Sequence, residues 1–172
     1  KESPYLWPST YKPLVAAVNG YALAGGWSIA QMCDIRVASE DAQLGISETK
    51  WSLLPPFGTI LPKHMPLSAV MELVLTAQPV TAQRAYDMGF LNKVVPQDQV
   101  LEQAMNYARQ IAENAPLAVQ AFKELALRGL DMDIPAISTM AFDKYNEILR
   151  TEDSKEGPKA FAEKRKPVWQ VK

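Results

Sequence analysis

Two adjacent glycines, Gly25 and Gly26, sit between a short apolar run and a helix-spaced one, and this junction constrains the fold more than any other stretch. Leu14 to Asn19 is rich in valine and alanine and is stopped by Asn19-Gly20, which suits a buried strand. After Ala24-Gly25-Gly26, the apolar residues Trp27, Ile29, Ala30 and Cys33 recur at helical spacing, so the glycines open a short helix. The first N–H groups of a helix lack intrahelical acceptors and carry partial positive charge, and glycine admits foreign atoms close to the backbone. Such a turn suits a developing oxyanion.

Asp34 to Ala38 reads as another buried strand, and Ala42 to Ile46 as a short extended piece that leads to Glu48. A donor-rich turn plus a carboxylate are two parts needed to move a proton next to a carbonyl. Taken alone, Gly25-Gly26 also fits a tight packing turn, and Glu48 a solvated loop acid.

Lys1 to Tyr11, with Pro4 and Pro8, is an irregular lead-in. Between Lys50 and Met65, Pro55, Pro56, Gly58 and Pro62 limit helix to short turns. Leu67, Val70, Met71 and Val74 predict a helix after Pro66, and Thr81 caps a short one closed by Gly89. Lys93-Val94-Val95 is a brief strand. Three amphipathic helices come next, on Leu101 to Ile111, Leu117 to Leu125 and Ile137 to Ile148. A last helix is expected over about Lys155 to Lys164 with Phe161 on its apolar side. Strands therefore crowd the first half and helices the second, an α/β beginning with a helical tail.

Composition mainly excludes. The 172 residues hold 48% hydrophobic and 22% charged side chains, enough for one core. A net charge of -1 offers no basic patch for nucleic acid or an anionic membrane surface. No apolar run approaches a membrane span. The single cysteine, Cys33, excludes an intramolecular disulfide and reads as a small buried residue in a reducing compartment. His64, the one histidine, reads as structural or exposed. There is no metal-ligand spacing and no dinucleotide or phosphate-loop fingerprint, so neither a metal nor a tightly held cofactor is expected.

The segments KPLVAAVNGYALAGG, MCDIRVAS and AQLGISE resemble the core of the crotonase superfamily, the enoyl-CoA hydratases and isomerases. LTAQPVTAQRAYDMGFLNKVVP and KEGPKAFAEKRKPVW extend the resemblance from about Lys12 to about Trp169. It implies a crotonase-like spiral of ββα turns, here its C-terminal portion, followed by a helical oligomerisation tail. Residues 1–95 would form a partial core with the oxyanion turn and acyl pocket, and residues 96–172 the helical region. Crotonase domains are longer, and the expected missing part precedes Lys12, leaving an exposed sheet edge.

By position, the resemblance implies that Gly25 N–H holds a thioester oxygen and that Glu48 is the second of two hydratase glutamates. Ser28 stands where the first belongs, and a hydroxyl cannot replace that acid-base group. One glutamate suffices for double-bond isomerisation, as in the family's isomerases, and SETKWSLLPPF is similar to their text. Hydration stays open if Ser28 or another group holds the water, and a non-catalytic acyl-CoA-binding subunit stays open too. The resemblance implies substrate contacts at Gly26, Ser28, Trp51, Leu54 and Phe57, with Phe161 and Lys164 closing over the CoA chain. The apolar lining of Trp51, Leu53, Leu54, Phe57 and Ile60 reads equally as ordinary core. Further expectations are an acyl-CoA substrate with no separate cofactor, a homotrimer or hexamer, no nucleic acid, no membrane, and a cytoplasmic location or the mitochondrial matrix of a eukaryote.

Overall fold

The structure, a computed structural model, describes residues 10–172, so the prolines of the lead-in lie outside the described residues. Two compact units divide the described chain, one of Leu14–Ala108 and one of Thr10–Pro13 with Arg109–Lys172.

The first unit holds two three-stranded sheets. Strands β1 (Val15–Val18), β3 (Ile35–Ser39) and β6 (Lys93–Val95) lie in the order β1-β3-β6, all parallel, with Val15 opposite Ile35 and Val37 opposite Lys93. Strands β2 (Ala22–Leu23), β4 (Gln43–Gly45) and β5 (Val80–Thr81) form the second sheet, where β2 and β4 are parallel and β5 is antiparallel. Parallel neighbours need a crossover, and helix α1 (Gly25–Gln31) lies between β2 and β3 in the chain. β2 and β5 have two residues each, too short for any apolar period to announce them.

The core of this unit gathers Trp27, Leu44, Ile46, Leu61 and Leu73, all fully buried. Trp27 stacks on Phe90, centroids 3.8 Å apart and planes at 15°. Arg36 interrupts the apolar run of β3, and its guanidinium donates to the carbonyl oxygens of Phe90, Cys33 and Ala30 while lying over the Phe90 ring. Burial lowers its pKa, opposed by the nearby Cys33 and Asp34. Helices α2 (Leu67–Thr76) and α3 (Ala82–Asp87) fall where the sequence places them. Thr81 Oγ1 caps α3 by accepting from Arg84 N–H at 3.2 Å, and Gly89, at φ 80°, ends it while Phe90 N–H reaches back to Ala85. Pro55 to Pro62 do restrict the chain to a 3-10 run, Pro56–Lys63, which follows a separate 3-10 turn at Glu48–Trp51.

Helix α4 (Val100–Glu113) buries Val100 and Ala104 beside Val37 and Val95. In the second unit, helices α5 (Pro116–Gly129) and α6 (Ile134–Leu149) pack closely at Gly129, where a Cβ would come within 3.2 Å of Ile137 Cγ1. Asp133 caps α6 by accepting from Ala136 N–H at 2.8 Å. Helix α7 (Asp153–Ala162) starts two residues before the expected Lys155.

Two expectations need correction. Phe161 does not occupy the inward side of α7, for it is 87% exposed. The inward stripe is Asp153, Gly157 and Ala160, whose small or charged side chains carry no apolar signal because what they receive is the C-terminal segment. Asp153 Oδ1 and Oδ2 accept from the N–H groups of Gln170 and Val171 at 2.6 and 3.0 Å, and the Trp169 ring lies against Gly157. Cys33 is only half-buried, since it lies just past the end of α1, where its Sγ–H approaches Ile29 O at 3.6 Å.

Candidate active site

Strands β2 and β4 run parallel with Leu23 beside Gly45, and Ala24 N–H continues the pairing by donating to Gly45 O at 2.9 Å. The segments downstream of the two strands therefore leave from the same edge. Gly25 comes two residues after Leu23, and Glu48 three after Gly45. Gly45 is tightly packed, because a Cβ would lie 3.1 Å from Pro79 Cα, closer than an ordinary contact.

The turn into α1 is strained. Ala24, the residue before the helix, has φ 50° and ψ -115°, a sparsely populated conformation that costs on the order of 1–3 kcal/mol. No side chain caps α1 and no acidic residue occupies its first turn, so the leading N–H groups keep their donor capacity. A Cβ built on Gly25 meets nothing within 4 Å, whereas one on Gly26 would touch Tyr21 O at 3.9 Å. Open space thus lies beside Gly25.

Ser28, one turn into α1, is 5% exposed, so its side chain faces inward rather than to solvent. Its Oγ has no hydrogen-bond partner. Glu48 is half-buried, and its Oε2 is buried and equally without a partner. Among the described residues, these are the two buried side-chain polar atoms left unsatisfied. Buried polar groups are nearly always paired, so two orphans on elements that leave one sheet edge call for an explanation in binding or chemistry.

The apolar residues beyond Glu48 behave in two ways. Trp51 and Leu54 are 72% and 79% exposed and Leu53 is exposed too, so the ordinary-core reading does not hold for them. Phe57 is buried, and its carbonyl accepts from Gln31 Nε2 at 2.8 Å. Gln31 Oε1 in turn accepts from Trp27 Nε1–H at 3.1 Å. Sequence reasoning passed over Gln31. Its signal was a polar residue four positions from Trp27, on the same helix face.

Gly25, Gly26, Ser28, Glu48, Trp51, Leu54 and Phe57 all belong to the first unit, and Phe161 and Lys164 to the second. Lys164 lies just past α7 in the left-handed region at φ 52°, where Arg165 N–H bonds back to Ala160 O. The pKa of His64 is lowered by burial and by the charges of Arg36 and Lys63. Among the described residues, no group of three His, Cys, Asp or Glu side chains is arranged to hold a metal ion. None of their helices is long and apolar enough to cross a membrane.

Comparison with known proteins shows the family. The family described as enoyl-CoA hydratase/isomerase matches residues 7–172. Carnitinyl-CoA dehydratase of Salmonella typhi is 39% identical over 164 residues, which are 92% of this chain and 63% of that protein. The chain thus spans less than two thirds of the length of this curated relative. The solved structure of enoyl-CoA hydratase from Bacillus anthracis superposes with a TM-score of 0.91 at 35% identity, over 94% of this chain and 64% of that one. Enoyl-CoA hydratase from Mycobacterium tuberculosis H37Rv gives 0.90 at 36%, over 94% and 65%. With the fold and the match to nearly the whole chain in agreement, the chain belongs to the enoyl-CoA hydratase/isomerase family, the crotonases.

Proposed function

We propose that the whole protein carrying this chain acts on an acyl-CoA thioester by stabilising its enolate, with Glu48 as the acid-base group and Gly25 N–H as an oxyanion donor. The observation that carries this reading is the orphaned, buried Oε2 of Glu48, on the edge from which the uncapped helix α1 also leaves. In a 3-enoyl thioester, Glu48 takes a proton from C2, and the electron pair delocalises over the carbonyl and the double bond. The oxygen then carries negative charge, which an N–H at a helix start stabilises. Return of the proton to C4 gives the 2-enoyl thioester. One carboxylate completes this cycle, and no second acid is required.

Hydration of a 2-enoyl thioester is the second reading, favoured by the equally orphaned Ser28 Oγ, which could hold the attacking water. Exposed Trp51 and Leu54 would cover the acyl chain together with Phe57, and Phe161 and Lys164 would contact the CoA portion of a substrate held by a neighbouring subunit. CoA enters as part of the substrate. We further propose a homotrimer or hexamer, on the strength of the exposed Phe122, Ile134, Phe142 and Tyr145 of α5 and α6.

The test offers the full-length protein a 2-enoyl-CoA and a 3-enoyl-CoA in deuterated buffer and tracks products by mass. Conversion of the 3-enoyl to a deuterated 2-enoyl thioester supports the single-base reading. A 3-hydroxyacyl product moves the assignment to hydration. No turnover of either substrate refutes both the isomerase and the hydratase reading, and favours a non-catalytic acyl-CoA-binding subunit or a different acyl-CoA substrate.

A further inference from the structure

Gln31 is the buried polar side chain of this region that the chemistry above does not use. It is 4% exposed, so water cannot substitute for its partners, yet both ends of its amide are engaged. Nε2 donates to Phe57 O at 2.8 Å and Oε1 accepts from Trp27 Nε1–H at 3.1 Å. A buried amide is unfavourable unless each end is bonded, and a leucine would fill a similar volume with no such requirement. What the amide adds is direction. It ties α1, which carries Gly25 and Ser28, to the 3-10 segment Pro56–Lys63.

That segment needs an external tie. Eight residues are more than 3-10 geometry ordinarily sustains, and Gly58 and Pro62 weaken this run further. The helix end of the tie is anchored by Trp27, which is fully buried and stacked on Phe90. Phe57 is the first apolar side chain of the segment and comes after the exposed Trp51, Leu53 and Leu54. Its backbone is therefore fixed relative to the helix that carries Gly25.

We infer that Gln31 is a positioning residue that sets the acyl wall at Phe57 relative to the oxyanion turn, and so selects acyl chain length. The inference rests on the reading of the site as an acyl-thioester site. Losing the Gln31–Phe57 bond lets the segment shift, which alters the fit of long acyl chains more than short ones. A group that only stabilised the fold would change all substrates alike.

The test compares wild type, Gln31→Leu and Gln31→Glu in the full-length protein with thioesters of four and eight acyl carbons. Gln31→Glu, assayed where the new carboxyl is ionised, keeps an acceptor for Trp27 and loses the donor to Phe57. Both variants are expected to change the ratio of kcat/KM between the two chain lengths by about fivefold, the size of one lost net hydrogen bond. The change should sit in KM more than in kcat. Hydrogen exchange gives a readout independent of turnover, with faster exchange over 56–63 in both Gln31 variants. An unchanged ratio in folded variants overturns the inference, as does unchanged exchange over 56–63. An inactive wild type whose segment exchanges faster in the variants refutes the acyl-thioester reading, and with it chain-length selection, while the tie itself stands.

Discussion

Glu48 and Asp153 are both carboxylates beside short structural elements, yet they are treated in opposite ways. Asp153, 4% exposed, has each oxygen occupied by a backbone N–H from the C-terminal segment. Glu48 keeps a buried oxygen with no partner. A carboxylate bonded on both oxygens holds structure. An orphaned one adds no such stability and leaves an acceptor open to a ligand. The difference separates a carboxylate that holds the C-terminal segment in place from one that keeps an acceptor open.

Substitution at both positions should break this contrast most visibly. Glu48→Gln is expected to lower turnover by about 10²–10⁴-fold while leaving the urea midpoint almost where it was. Asp153→Ala should do the reverse in the second unit. Losing two charge-assisted bonds and stranding two N–H groups should cost about 3 kcal/mol, read as a lower urea midpoint. Loss of stability without loss of turnover in Glu48→Gln would remove the distinction.

The candidate site was legible in the sequence where its signals are local. Gly25-Gly26 opens α1, Thr81 caps α3, Gly89 ends it, and the prolines of 55–62 forbid a regular helix. Each rests on the backbone or hydroxyl of a single residue. The unread parts depend on partners distant in the chain. Gln31 looks like a break in an apolar helix face until Phe57 O, 26 residues away, is placed beside it. Arg36 looks misplaced in a strand until the Phe90 carbonyl and ring receive it. Phe161 looks like the inward residue of α7 because aromatic side chains usually are, and the tail that occupies that side is read only from the Asp153 bonds.

Smaller effects sharpen the same comparison. Lys164→Gly should stabilise the protein by about 1 kcal/mol, since glycine accepts the left-handed conformation without strain. If Lys164 also contacts CoA, KM should rise at the same time, which a thermal melt and a rate assay read separately. Ser28→Ala removes an orphaned hydroxyl, so stability should stay level or rise by less than about 1 kcal/mol. Retained isomerisation with lost hydration would assign the water to Ser28.

The mildest expected effect is a pH dependence in the tail. Glu156, hydrogen-bonded by Arg165 and then by Val168 N–H, has its pKa pulled from 4.5 to about 2. A carboxylate lowered in the folded state contributes stability that is present above its unfolded pKa and is lost as pH falls through the folded one. The Trp169 fluorescence signal should therefore drift between about pH 4.5 and 2, with little change above. Glu156→Gln should abolish that drift.

The pairing of β3 also has a consequence in time. Val37 finds its partner Lys93 56 residues later in the chain. At synthesis speeds of about 5–20 residues per second, Lys93 is added roughly 3–11 s after Val37. Gly25 and Glu48 are made before that strand exists. A growing chain thus carries its candidate active site for seconds with β3 open on one side, a window in which a chaperone, or another nascent chain, can reach it first.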